Sequence, residues 1–293
     1  METRVNRNVK KKKKYKVKWN NVLTLLIITT CLSTLLYSLT NMVTWYFDNK
    51  RTDKQIDEIL KNTEIIETPV EEEVGDNNDT EEETDEVEEN NKNNAYWNYM
   101  NMNLIYVDFN ELKSINNNVK GWVQLNGTNI NYPFVQAKDN KYYLTHSFDK
   151  SYNKAGWVFL DYRNNINQSE KNTILYAHGR VDSTMFGTLR TIFSSNWYKN
   201  KDNHVIKMST EKENTLWQVF SVYRIKTTSD YLKTQFKNDD EYLSFLNMLK
   251  ERSQYKFDTK FDENTQIITL STCYNKSDKV VMHAKLIKKE ARK

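Results

Sequence analysis

The run Ile267-Ile268-Thr269-Leu270-Ser271-Thr272-Cys273 ends on a thiol, and Lys279 opens the next apolar run, which continues to Ile287. The first run is β-branched and apolar, the composition of a buried strand. A cysteine at a strand end and a cation at the start of the following strand can face one another across a hairpin. The reactive form of cysteine is the thiolate, and a nearby positive charge favours it. The pair is therefore a candidate nucleophile site. A lone cysteine read blind is a small buried hydrophobe. Two features shift that reading: Cys273 sits at a strand end, and it is the single thiol of a segment that the N-terminal sequence places outside the cytosol.

A thiol nucleophile needs a group that moves protons. The segment holds His146, His178, His204 and His283. His178 follows the strand-like Ile174-Leu175-Tyr176-Ala177 and precedes Gly179-Arg180, so it stands at a strand end beside a turn. His283 lies inside the last strand and reads as a packed or surface strand residue. His146 and His204 fall near element ends with no partner in the pattern. No two of the four share a metal-ligand spacing with Cys273, so no metal site is read. A thiolate, an imidazole and a cation together would do acyl transfer through a thioester.

These groups need a scaffold. From Ala95 to Lys293 the chain is rich in Trp, Tyr, Phe and β-branched residues, and about 200 residues suffice for one core. Strands are expected at residues 121–125, 129–135, 156–161, 172–177, 204–208, 215–223, 267–273 and 279–288, with a turn at Gly127-Thr128. That spacing suggests a barrel or sandwich. A short helix is expected over 108–115 with Leu112 and Ile115 inward. A second is expected over 239–252, with Tyr242, Phe245, Leu246 and Leu249 on one face and Asn238 or Asp239 as its cap.

The net charge of +4 hides a strong segregation. Residues 1–18 hold nine Lys or Arg and one Glu, and residues 64–89 hold no Lys or Arg among many Asp and Glu. Nothing charged lies between Trp19 and Phe47. A helix needs about 20 mostly apolar residues to cross a bilayer. Trp19 at one end, and Trp45, Tyr46 and Phe47 at the other, suit the interfacial belts. The basic tail places the N-terminus in the cytoplasm and the rest of the chain outside. This context favours a membrane anchor over nucleic-acid binding by the tail. It also favours an uncleaved anchor over a signal peptide, whose apolar core is shorter and is followed by a small-residue cleavage site. Four regions follow: a basic cytoplasmic tail (1–18), a transmembrane anchor (19–47), a short amphipathic helix over 52–66 with an acidic disordered stalk (48–94), and an extracytoplasmic domain (95–293).

Several motifs of this domain resemble the class B sortases, membrane-anchored cysteine transpeptidases of Gram-positive bacteria. They are Val119-Lys120-Gly121-Trp122-Val123, Gly127-Thr128-Asn129-Ile130-Asn131-Tyr132-Pro133 and Asp139-Asn140-Lys141-Tyr142-Tyr143-Leu144. Further on come Gly156 to Asn164, Leu175-Tyr176-Ala177-His178-Gly179, Met185-Phe186 and Thr269-Leu270-Ser271-Thr272-Cys273. The resemblance implies a mainly β fold, an eight-stranded barrel with added helices. It implies that Cys273 attacks the Thr carbonyl of a C-terminal sorting signal on a surface protein. His178 then acts as general acid and base, and an amine of a peptidoglycan precursor or a pilin lysine resolves the thioacyl enzyme. Asn140, Leu144, Thr227, Tyr231, Leu232 and Ser271 match the family's substrate groove. No cofactor is implied. The family carries an arginine where this chain has Lys279, and its loop after the cysteine is longer. Lysine keeps the charge without the planar fork. Arg224 falls on a different strand position and is not assigned that role. Two further readings stay open: a sortase-like domain that binds sorting signals without turnover, and a thiol hydrolase.

Overall fold

The uncharged run from Trp19 to Phe47 folds as the start of a long helix, α1 (Trp19–Asn62). The computed structural model describes residues 18–68, 95–275 and 277–292. The basic tail, apart from Lys18, and residues 69–94 of the expected acidic stalk lie outside the described residues. The described residues fall into two compact units, divided between Phe47 and Asp48. In the first unit α1 is long and apolar enough to cross a membrane. Several of its hydroxyls bond within the helix: Thr24, Thr30 and Thr44 donate to the carbonyls of Asn20, Leu26 and Thr40. Such back-bonding lets Thr and Ser sit in an apolar span without exposing a free polar group.

The second unit begins earlier than the sequence suggests. Residues 48–62 complete α1 and pack on the domain. Ile59 is buried in the main core with Ile56 against it. Asn153 Nδ2 donates to Thr52 Oγ1 at 3.0 Å, and Gln55 Oε1 accepts from the Phe148 amide at 3.2 Å. The expected separate helix over 52–66 is thus corrected. There is no break before Thr52, and Ile65 and Ile66 leave the helix for a strand. β1 (Ile65–Thr68) pairs antiparallel with β2 (Leu104–Val107). Its β-branched pair supplies the reason, since such side chains pack better on a pleated surface than on a helix. A domain boundary at Ala95 would cut off this folded segment.

All eight expected strands form, as β3 (Val119–Leu125), β4 (Asn131–Val135), β5 (Phe159–Leu160), β6 (Asn172–Tyr176), β7 (Val205–Ser209), β8 (Glu213–Lys226), β9 (Ile267–Cys273) and β10 (Asp278–Ala291). They close into one barrel in the order β10-β8-β7-β3-β4-β5-β6-β9. β5 is much shorter than expected because Gly156, at φ +64°, turns the chain just before it. Trp122, Phe134, Val158, Leu175, Ile268, Leu270, Val280 and Met282 belong to one buried cluster. Ile267 and Val281 belong to another, with Phe220, Tyr223 and Tyr231. The alternation of faces along a strand produces this division.

Short helices fill the gaps: α2 (Ala95–Met100), α3 (Asn110–Ile115) and α4 (Ser195–Lys199). In α3 Leu112 is buried as expected, but Ile115 is 44% exposed, a correction to its inward assignment. Ile115 is the last residue of the helix, where the chain turns extended at Asn116 and leaves that end open to solvent. α5 (Asp239–Glu251) is capped by Asn238, whose Oδ1 accepts from the Glu241 amide at 2.9 Å. It buries Tyr242, Phe245, Leu246 and Leu249 on the second cluster.

Candidate active site

Two strand pairings assemble the site. β9 and β10 are antiparallel, with Cys273 directly opposite Lys279. β6 and β9 are parallel, with Tyr176 opposite Ser271. Parallel strands end at the same edge, so the segment after Tyr176, which holds His178, emerges beside the segment holding Cys273. Thr272 Oγ1 donates to the Ala177 carbonyl at 2.7 Å, and an Arg190 guanidinium nitrogen donates to the carbonyls of Gly179 (2.7 Å) and Tyr274 (2.9 Å). Arg190 therefore ties the turn after His178 to the turn after Cys273. A Cβ on Gly179 would collide with the Cys273 carbonyl, so this approach requires glycine.

Cys273 is exposed and free. The Lys279 ammonium donates to its sulfur at 2.9 Å, so a cation stands directly on the thiol. His178 Nε2 lies 2.8 Å from the Leu144 carbonyl. A carbonyl only accepts, so Nε2 carries a proton, and Nδ1 is the nitrogen left to exchange one. The cysteine, the histidine and the lysine line one cleft of about 670 Å³. All six residues expected to bind substrate line it as well: Asn140, Leu144, Thr227, Tyr231, Leu232 and Ser271. Tyr231 and Ser271 are buried, and their hydroxyls lie 3.0 Å apart. They form floor and wall, not free hydrogen-bonding groups.

Arg224 does not join the cleft-lining residues. It stands opposite Val280, on the other face from Lys279, stacks 3.8 Å from the Tyr274 ring centroid and pairs with Asp278. His146 stacks on Tyr142 at 4.0 Å. His204 and His283 are buried. Burial, with Lys201 nearby, pushes the His204 imidazole down to about 4 despite a hydrogen bond with the Tyr198 backbone. Among the described residues, no three His, Cys, Asp or Glu side chains gather in a way that could hold a metal ion.

Sequence reading missed the support behind Asn140. The Asp161 carboxylate is fully buried. It accepts from Arg163 Nε at 2.9 Å and Nη2 at 2.8 Å, Tyr176 Oη at 2.8 Å and Asn140 Nδ2 at 3.0 Å. Burial alone would raise its pKa, but the hydrogen bonds from Arg163, Tyr176 and Asn140 hold it below the usual carboxylate range. Burial and the Asp161 charge push the Tyr176 phenol well up, so it stays a neutral donor. Arg163 Nη2 also donates to the Leu232 carbonyl at 2.9 Å. One buried carboxylate thereby fixes parts of both cleft walls. The only sequence signal was an Asp-x-Arg at a strand end, which reads equally well as a turn.

Comparisons with known proteins point to one family. The sortase domain family matches residues 123–287. Sortase B of Staphylococcus aureus is 36% identical over 184 residues, covering 61% of this chain and 75% of that protein. Sortase B of Listeria monocytogenes is 34% identical over 187 residues, covering 61% and 74%. Among solved structures, a Staphylococcus aureus sortase B–substrate complex aligns with a TM-score of 0.58 at 35% identity, covering 61% of this chain and 84% of that one. Sortase B from Bacillus anthracis aligns with a TM-score of 0.57 at 40% identity, covering 61% and 84%.

Proposed function

The chain belongs to the sortase family, class B, and is a cysteine transpeptidase; on that premise we propose that it cleaves a C-terminal sorting signal after a Thr and transfers the protein to an amine. The Cys273 thiolate attacks the Thr carbonyl, and the Lys279 ammonium stabilises first the thiolate and then the oxyanion of the tetrahedral intermediate. His178 gives a proton to the departing amine as the C–N bond breaks, leaving a thioester. The incoming amine attacks that thioester, His178 takes its proton, and the thiolate leaves. Nε2 stays on the Leu144 carbonyl in both protonation states, so Nδ1 does the exchange. The acceptor is an amine of a peptidoglycan precursor or a pilin lysine.

The observation that carries this reading is the Lys279–Cys273 contact of 2.9 Å inside a cleft that His178 also lines. Lysine supplies there the positive charge that the family takes from arginine. Asn140, Leu144, Thr227, Tyr231, Leu232 and Ser271 hold the signal. The apolar helix anchors the protein, with the basic tail in the cytoplasm and the domain outside, where surface proteins arrive.

The test uses the full chain in detergent micelles with a library of sorting-signal peptides and an amine acceptor, followed by intact mass. The expected result is an acyl adduct on Cys273 that the amine resolves, absent in Cys273→Ala. An adduct released only to water would make the protein a thiol hydrolase. Peptide binding without any adduct would make it a sorting-signal binder.

A further inference from the structure

We propose that a buried hydrogen-bond chain, Tyr223–His283–Thr269–Asn172, is the positioning device that holds the Tyr231–Lys233 wall of the cleft, with His283 as its central link. This deepens the transpeptidase reading, and its kinetic arm rests on that reading. Nothing in the reaction itself uses His283.

The residues meet because of strand register. Thr269 stands opposite His283 across the β9–β10 pair, on the face that also carries Ser271 and Cys273. His283 is fully buried, as are Thr269 and Asn172, and Tyr223 is 3% exposed. His283 Nδ1 lies 2.8 Å from Thr269 Oγ1, and Nε2 lies 2.8 Å from Tyr223 Oη. Thr269 Oγ1 lies 2.7 Å from Asn172 Oδ1. Asn172 Nδ2 reaches the Lys233 carbonyl at 2.9 Å and the Tyr231 carbonyl at 3.4 Å.

Every proton in this chain has one possible place. Two carbonyls can only accept, so the Asn172 amide nitrogen faces them and its oxygen faces Thr269. The Thr269 hydroxyl proton is then committed to that oxygen. His283 Nδ1 must donate to Thr269, and with a neutral ring Nε2 accepts from the Tyr223 hydroxyl. Burial, with the Arg252 charge beyond, pushes the His283 pKa down to about 3, so the ring is neutral. Such a satisfied, directional network fixes one geometry and is costly to break in a low-dielectric interior.

The chain ends on the wall that matters. Leu232, between the two carbonyls held by Asn172, is held through its own carbonyl by Arg163. Tyr231 and Leu232 line the cleft. Arg252, whose guanidinium lies 6.0 Å from the Tyr223 ring centroid, pairs with Asp230 at 2.9 and 2.6 Å. Arg252, just past the end of α5, thus holds the residue before the wall, and the chain holds the wall from beneath. A histidine that merely filled space in β10 would leave this wall indifferent to its neighbours.

The test again uses the full chain in detergent micelles. Thr269→Val keeps the shape and removes the hydroxyl, Thr269→Ser keeps the hydroxyl, and Tyr223→Phe cuts the chain on the far side of His283. Hydrogen exchange is followed over residues 229–237, with β3 and β4 as internal reference. Thr269→Val and Tyr223→Phe are each expected to speed exchange in that segment by about tenfold, and Thr269→Ser to restore it. For a sorting-signal peptide both cutting variants raise KM by about tenfold with kcat within about twofold, the signature of lost binding geometry. Nitrogen NMR of the unsubstituted protein is expected to show His283 in its Nδ1–H form. Unchanged exchange and KM in both cutting variants would overturn the proposal. So would an effect of Thr269→Val alone, since the wall would then hang on Thr269 and Asn172 without His283. An Nε2–H ring would overturn it even if neither variant folds. A wild-type protein that turns over no peptide but shows the exchange response would defeat the transpeptidase reading and leave the positioning chain standing.

Discussion

On the reactive side of the cleft, few side-chain contacts hold the groups that would do chemistry. Cys273 is exposed with a lysine on its sulfur, and His178 is held by one bond from Nε2. The strands and the Arg190 tie place their backbones and leave the side-chain tips accessible. The opposite side is built the other way. Asp161 is fully buried with four side-chain donor atoms on its carboxylate, and Asn172 is fully buried beneath the Tyr231–Lys233 loop. The difference has a physical sense. A nucleophile and a proton carrier must stay accessible to a substrate and an amine, whereas a wall that reads a peptide gains from being fixed before the peptide arrives. Substitutions on the reactive side are therefore expected to lower kcat, and those on the wall to raise KM.

The largest departure is expected at Lys279. Lys279→Ala removes the cation that favours the thiolate and the oxyanion, and kcat/KM for transfer falls by about 10²-fold, mostly in kcat. Lys279→Arg keeps activity within about tenfold of wild type, since the charge survives and the fork is the family's own choice. Steady-state transfer of a peptide to an amine measures both. Unchanged kcat in Lys279→Ala would remove the lysine from the chemistry and break the contrast at its first point.

The wall should respond differently. Asp161→Asn keeps the shape but removes the charge and one acceptor oxygen. It is expected to raise KM by about tenfold with little change in kcat, and to lower stability by about 2 kcal/mol. The figure lies below that for a fully buried pair because Arg163 reaches water. The pH dependence has a definite sign. The folded-state pKa of Asp161 is depressed, so its stabilisation is complete above the unfolded value of about 4. It is lost as pH falls through the lower folded value. The stability gap between wild type and Asp161→Asn therefore narrows on acidification below about pH 4, which denaturation at pH 6 and at pH 3 measures. A gap that widened instead would assign the support of the wall to other groups.

How much of this could be read beforehand depended on how local the determinant was. The Cys273–Lys279 pair was legible because a hairpin fixes its own register and both residues lie on its two strands. The barrel strands were legible from their β-branched and aromatic runs at regular spacing, and the α5 helix from its apolar face and Asn238 cap. The neighbourhood of His178 and Cys273 rests on a parallel pairing of β6 with β9, which no local pattern encodes; the motif resemblance supplied it. Residues 52–66 were misread because Ile56, Ile59, Leu60 and Thr63 carry a helical spacing that says nothing of where the helix begins, while Ile65 and Ile66 already belong to β1. His283 read as an ordinary strand residue because its partners, Tyr223 and Thr269, come from two other strands. Asp161 was hidden for the same reason, with donors arriving from Asn140 and Tyr176 as well as from its own turn.

The smallest effect sharpens the assignment of the cation. Two basic side chains flank the segment after Cys273, and a lysine in an arginine's place invites the question whether Arg224 has taken over the arginine's work. Strand alternation argues against it. Lys279 stands opposite Cys273 and lines the cleft, whereas Arg224 stands opposite Val280 and turns to Tyr274 and Asp278. Its guanidinium is half exposed, and such surface pairs are worth little. Arg224→Ala is therefore expected to change kcat/KM by less than about fivefold, and any change should fall on turnover, because Tyr274 lies in the turn that Arg190 ties to the His178 segment. A loss comparable to that of Lys279→Ala would mean that the loop after Cys273 rearranges when substrate binds and brings the guanidinium to the reacting carbonyl. In that case the sparsely held side of the cleft would gain its order from the substrate.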